Sequence, residues 1–148
     1  MKAIILTSVL TAFLSVTSLY AGEPKTKVYS NEETSATGVI KELISYDTEL
    51  GCPIDKAIYH YNPDGLLQKK TLYKWDRNAG WIGSQKYDYE CNGDGKIINL
   101  IYTEWNDKLN TWSCRSEQLV HIYDTEGELL ATKQIHINND STYLMSQK

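Results

Sequence analysis

Nine residues, Tyr59-His60-Tyr61-Asn62-Pro63-Asp64-Gly65-Leu66-Leu67, constrain the fold of this chain more than any other stretch. They have the chemistry of one strand ending, a tight turn, and a second strand beginning. Asn62 can bond its side chain to nearby backbone, Pro63 presets φ at the first central position, and Asp64 tolerates the second. Gly65 accepts the positive φ that follows. This is the three-residue hairpin loop, a type I turn closed by a left-handed glycine that forms a bulge. The pattern returns as Tyr89-Glu90-Cys91-Asn92-Gly93-Asp94-Gly95-Lys96-Ile97 and as His121-Ile122-Tyr123-Asp124-Thr125-Glu126-Gly127-Glu128-Leu129. Recurrence at a period near 30 residues marks a repeat architecture. The chain is therefore expected to double back at Asn62 and Gly65, at Asn92 and Gly95, and at Asp124 and Gly127.

A second marker lies between the turns. Tyr73-Lys74-Trp75-Asp76 followed by Trp81 recurs as Tyr102-Thr103-Glu104-Trp105-Asn106 followed by Trp112. Each unit thus reads as two strands joined by a tight turn, then a longer loop opened by Asp or Asn. The Trp residues on either side of each longer loop are expected to meet across a hairpin, where aromatic pairs contribute about 0.2–1 kcal/mol.

Strands are expected over 39–46, 55–61, 66–75, 81–91, 96–105, 112–123 and 128–137. Short connections make each pair antiparallel with the next. The expected fold is all-β, an antiparallel meander of about seven strands that curls as a single sheet, with an up-and-down barrel as the alternative. Strand 96–105 is apolar on both sides, with Ile97, Ile101 and Trp105 opposed to Ile98, Leu100 and Tyr102. Such a strand is expected to be covered on both faces.

At 148 residues the chain has room for one domain. Residues 1–21 have one cation, Lys2, then an apolar run and a small-residue exit, Ala21-Gly22. They read as a secretory signal peptide, with an uncleaved membrane anchor as the rival reading, so a secreted, periplasmic or extracellular protein is expected. Residues 22–38 are polar and aperiodic and read as a flexible lead-in. The β-meander domain is set at 39–138, followed by a polar tail over 139–148. With 15 Lys and Arg against 19 Asp and Glu, the net charge is −4. No basic cluster exists for nucleic acid, and nothing after residue 21 is apolar enough for stable membrane insertion.

Three cysteines in an exported chain invite a disulfide. In an open meander Cys91 sits at the tight-turn end of its strand and Cys114 at the long-loop end two strands away, roughly 20 Å off. Cys52 meets Cys114 only if the sheet closes, so no disulfide is expected in an open sheet. Glu90 to Ile97 resembles the first half of a calcium loop, but Ile101 stands where the closing Glu is needed, and hairpin chemistry explains the same residues. His60, His121 and His136 lack metal-ligand spacing. No catalytic motif, metal site or cofactor site is found.

The aromatic content is the one feature with functional potential. Eleven Tyr and four Trp stand against a single Phe, Phe13 in the leader. Nearly every ring therefore carries a polar atom, which suits a half-exposed binding surface. The candidate surface comprises Trp75, Trp81, Trp105, Trp112, Tyr73 and Tyr102.

Tyr59 to Leu67 resembles the tyrosine–aspartate (YD, Rhs-type) repeat, Tyr-x-Tyr-Asp-x-x-Gly followed by an apolar residue, and His121 to Leu129 matches less fully. The longer period, the Trp-flanked loops and the small size are similar to a family of short secreted proteins of unknown function from gut anaerobes (Bacteroidales-type). The resemblance covers about residues 39–137 and implies a β-meander and export, with no catalytic residue. The expected function is a non-enzymatic exported binding module for a protein or glycan. The alternatives are self-association through exposed edges at 39–46 and 128–137, and a hydrolase whose residues leave no local trace.

Overall fold

A computed structural model describes residues 6–8 and 25–138. The strands are β1 (Leu6–Ser8), β2 (Thr26–Ser35), β3 (Gly38–Asp47), β4 (Cys52–Tyr61), β5 (Leu67–Asp76), β6 (Gly80–Cys91), β7 (Ile97–Asn106), β8 (Thr111–Tyr123) and β9 (Leu129–Asn138). Their order in the sheet is their order in the chain, and the pairings are antiparallel. Among the described residues there is no helix, and no pairing closes the order into a barrel. The chain divides into two compact units, residues 1–82 and 83–148.

All three tight turns form with the expected chemistry. The Asn62 carbonyl accepts from Gly65 N–H at 2.9 Å, and its side-chain oxygen accepts from Leu66 N–H at 2.8 Å. Asn92 repeats these bonds with Gly95 and Lys96 at 3.0 and 2.9 Å, and Asp124 with Gly127 and Glu128 at 3.1 and 2.8 Å. Gly65, Gly95 and Gly127 have φ of 80°, 78° and 84°. The register shifts at His60/Tyr61, Glu90/Cys91 and Ile122/Tyr123, which is the bulge that a left-handed closing residue imposes.

Three differences from the sequence reading concern extent and edges. Among the described residues the sheet has nine strands rather than about seven, and residues placed in a flexible lead-in form β2. Thr26–Ser35 alternates no apolar residues, so neither period nor propensity marks it. Its strand conformation comes from pairing along the full length of β3, from Thr26↔Asp47 to Ser35↔Gly38. The segment 39–46 is consequently not an edge, because β2 covers it. Apart from Leu6–Ser8, the expected signal peptide lies outside the described residues, as does the tail over 139–148.

Among the described residues no hydrophobic side chain is buried. The buried side chains are Thr71 and Thr103, 6% and 4% exposed, and Thr103 Oγ1 shares a 2.8 Å hydrogen bond with Ser116 Oγ. Among the described residues nothing fully covers both faces of β7: Ile98, Leu100, Ile101 and Tyr102 are half-buried, and Ile97 is exposed. Ring pairs also lie along the sheet, with Tyr59 stacked on Tyr61 at 6.4 Å, Tyr87 on Tyr89 at 6.5 Å, and Tyr29 edge-on to Tyr46 at 6.1 Å. The thiols of Cys52, Cys91 and Cys114 are free.

Candidate functional site

The longer loops share one construction. Asp47 Oδ1 accepts from Glu49 and Leu50 N–H, each at 2.8 Å, and Asp76 Oδ1 accepts from Asn78 and Ala79 N–H at the same distance. Asn106 Oδ1 does the same with Lys108 and Leu109 at 3.1 and 3.2 Å. Each loop closes on a left-handed residue, Gly51 at φ 64°, Gly80 at 79° and Asn110 at 50°. Asparagine is among the few side chains that tolerate this conformation. The Ala79 and Asn78 amides hold the Asp76 carboxyl below its ordinary range.

These loops bring the tryptophans together in pairs. In the first unit the Trp75 and Trp81 rings meet edge-on at 5.0 Å, with 72° between their planes. Lys56 of β4 places its ammonium 4.8 Å from the Trp81 centroid and 5.1 Å from that of Tyr73, its rung partner on β5. The same ammonium lies 3.5 Å from Glu42. In the second unit Trp105 and Trp112 are direct rung partners, edge-on at 5.1 Å and 89°. Lys86 stands 5.4 Å from the Trp112 centroid. Two clusters of the same chemistry, a Trp pair capped by a lysine 30 positions apart in the chain, thus arise from the repeat.

Gly83 makes room for the second pair. A Cβ at this position would collide with the Trp105 ring, so the indole lies directly over bare backbone. The Trp105 Nε1 donor is buried and has no hydrogen-bond partner among the described residues.

Tyr102 does not belong with these tryptophans. Lys86 pairs with Thr103 and Tyr87 with Tyr102, so adjacent rungs point to opposite sides of the sheet. Lys86 stands over Trp112, which places the Trp105–Trp112 pair on the Lys86 side and Tyr102 on the other. The six candidate residues therefore do not form one surface. Tyr73, Trp75 and Trp81 cluster in the first unit, and Trp105 and Trp112 in the second. Tyr102 packs with Tyr87 at 5.2 Å on the reverse face.

On that reverse face of the second unit lies a concavity of about 520 Å³, lined by Tyr102, Glu104, Arg115, Glu117 and His136 among others. A one-way hydrogen-bond chain runs into it. Tyr87 O–H donates to Gln85 Oε1 at 3.0 Å, Gln85 Nε2 donates to Tyr102 Oη at 3.3 Å, and Tyr102 O–H donates to Glu104 Oε1 at 2.7 Å. The bond to the Glu104 carboxylate, reinforced by burial, pushes the Tyr102 phenol up to about 12. Glu117 accepts from Gln134 Nε2 at 3.1 Å. Sequence inspection singled out only Tyr102 of this group, because its members come from four strands, β6 to β9, with no common spacing. It also missed Lys56 and Lys86, although their 30-residue separation is the repeat period. Among the described residues no group of His, Cys, Asp and Glu is arranged to hold a metal ion.

Comparison with known proteins gives a family and no activity. A family described as "Family of unknown function (DUF3836)" matches residues 1–123. The chain is also similar to a crystal structure of a DUF3836 family protein from Parabacteroides distasonis, at 12% identity and a TM-score of 0.36. That match covers 81% of this chain and 97% of the other. No curated protein matches.

Proposed function

The chain belongs to the DUF3836 family, whose function is unknown, and we propose that it is an exported, non-enzymatic binding module. Its partner, a protein or a glycan, docks on a ring cluster within one unit, the Trp75–Trp81 pair of the first or the Trp105–Trp112 pair of the second. The observation that carries this reading is that no hydrophobic side chain is buried among the described residues. An apolar sheet face ordinarily packs on a second layer, and a contiguous exposed one marks an interaction site. Tryptophan and tyrosine in that setting are the usual anchors of recognition, since each combines large apolar area with a polar atom. Each edge-on pair has a lysine ammonium over one of its rings, a mixed aromatic and cationic surface that suits the varied chemistry of a protein. A sugar ring prefers a bare flat platform, so a protein is the favoured partner.

The test is binding of the full chain to a protein array and a glycan array, with Trp75→Ala and Trp112→Ala measured alongside. Signal on either array that falls at least tenfold in the variants supports the reading. A folded chain silent on both arrays, or signal unchanged in both variants, overturns it.

A further inference from the structure

The two margins of the strand order differ in their defences. β2 carries Lys27, Glu32 and Glu33 along its length. β9, at the other margin, is Leu-Leu-Ala-Thr-Lys-Gln-Ile-His-Ile-Asn, with no proline or glycine and one fixed charge, Lys133. Its register with β8 is unbroken from Arg115↔Asn138 to Ile122↔Ala131, so no bulge twists this stretch away. Leu129 and Leu130 are 54% and 66% exposed, and of the ten side chains only those of Ile135 and Ile137 are half-buried. Among the described residues no strand pairs with the outer side of β9. Its outward N–H and C=O groups form a template for another extended strand, and among the described residues Lys133 is the one protection this edge carries.

We propose that β9 pairs antiparallel with β9 of a second copy, about a two-fold axis passing through Gln134. The occupant follows from the chemistry of the strand itself. A partner must supply a bulge-free, nearly uncharged strand of matching length, and β9 is one. A two-fold axis normal to the sheet keeps each face continuous, so residues must pair with residues on their own face and the axis must pass through a residue.

Centring on Lys133 would set two ammonium groups opposite each other, which is unfavourable. Centring on Gln134 sets Lys133 against Ile135, Thr132 against His136, Ala131 against Ile137 and Leu130 against Asn138. This register uses nearly the whole strand. Gln134 donates one amide hydrogen to Glu117, and its second hydrogen and its carbonyl oxygen can meet the same groups of the other copy on the axis. Centring on Thr132 or Ile135 leaves more of the strand unpaired.

Light scattering on the full chain is expected to report a dimer at micromolar to millimolar concentration. Charge placed opposite Lys133 separates this register from other modes of association. Ile135→Lys is expected to weaken the dimer at least tenfold relative to Ile135→Glu, although both remove the same half-buried side chain. In a Cys114→Ser background, Gln134→Cys is expected to give a disulfide-linked dimer under mild oxidation, because side chains directly opposite lie within disulfide reach. Thr132→Cys, which faces His136, is expected to stay uncrosslinked. A strict monomer throughout the range, equal dissociation of the two Ile135 variants, or crosslinking at 132 to the same extent as at 134 would overturn the proposal. None of these readouts depends on the tryptophan face.

Discussion

The tight turns and the longer loops face the same backbone problem and use different partners. In both, an Asx oxygen gathers the free N–H groups of the reversal. In both, a left-handed residue closes it, Gly65, Gly95 and Gly127 in one set and Gly51, Gly80 and Asn110 in the other. A Cβ at Gly65 would meet nothing within 4 Å, so this turn is complete in its own residues, whereas the third tight turn is also met by Lys96, which donates to the Gly127 carbonyl. Two of the longer loops add a Trp pair, and the pair in the second unit needs Gly83 on the neighbouring strand to lie flat. The turn at Gly65 is specified locally, and the two Trp-flanked loops are finished by side chains of the strands beside them.

If that contrast holds, substitutions should rank by how far beyond its own turn each glycine reaches. Gly38 comes first: it has φ 132°, and a Cβ there would collide with the Tyr61 carbonyl. Gly38→Ala is expected to destabilise by about 3 kcal/mol, combining backbone strain with a rigid clash, seen as a lower urea midpoint. Gly83→Ala has no φ penalty but must lift the Trp105 ring, and about 2 kcal/mol is expected. Its signature is a changed tryptophan emission in the folded state, which Gly38→Ala does not require.

Within a tight turn the effects should be smaller. Asn62→Ala removes the acceptor for Leu66 N–H and is expected to cost about 1 kcal/mol, with no change in tryptophan emission. A loss of 3 kcal/mol there would mean that the turn anchors more than itself. Lys56→Met, which keeps the aliphatic stem and removes the charge over Trp81 and Tyr73, is expected to cost about 0.5–1 kcal/mol.

The smallest effect separates two longer loops by pH. The folded-state pKa of Asp76 lies below its ordinary 3.8. Its contribution to stability is therefore complete above that value and lost as pH falls through the lowered folded-state pKa. Asn106 does the same work without titrating. Amide exchange at Ala79 should accelerate in acid relative to Leu109, and Asp76→Asn should abolish the difference.

The same division decides what could be read from the residues. Asn62-Pro63-Asp64-Gly65 and its two echoes specify turn, bulge and strand order, because every interaction they need lies within five residues. The Trp75–Trp81 and Trp105–Trp112 pairs were legible for a related reason, since an antiparallel hairpin leaves little freedom at its closing rungs. β2 was not legible, because its polar side chains have no period and only β3 makes it a strand. Tyr102 was grouped with Trp105 by closeness in the chain, although an odd separation of three residues puts them on opposite faces. The concavity around Glu104, Arg115 and His136 depends on register across three strands, which no single segment encodes.

The central claim, a sheet with no buried apolar core among its described residues, is tested most directly by the heat capacity of unfolding. That quantity rises with the apolar area exposed, and ordinary globular domains give about 12–15 cal/mol/K per residue. Calorimetry of the full chain should give a value clearly below about 12 cal/mol/K per residue. A value within or above the ordinary range would mean that the native protein hides one of its ring-lined faces, and the account would be contradicted.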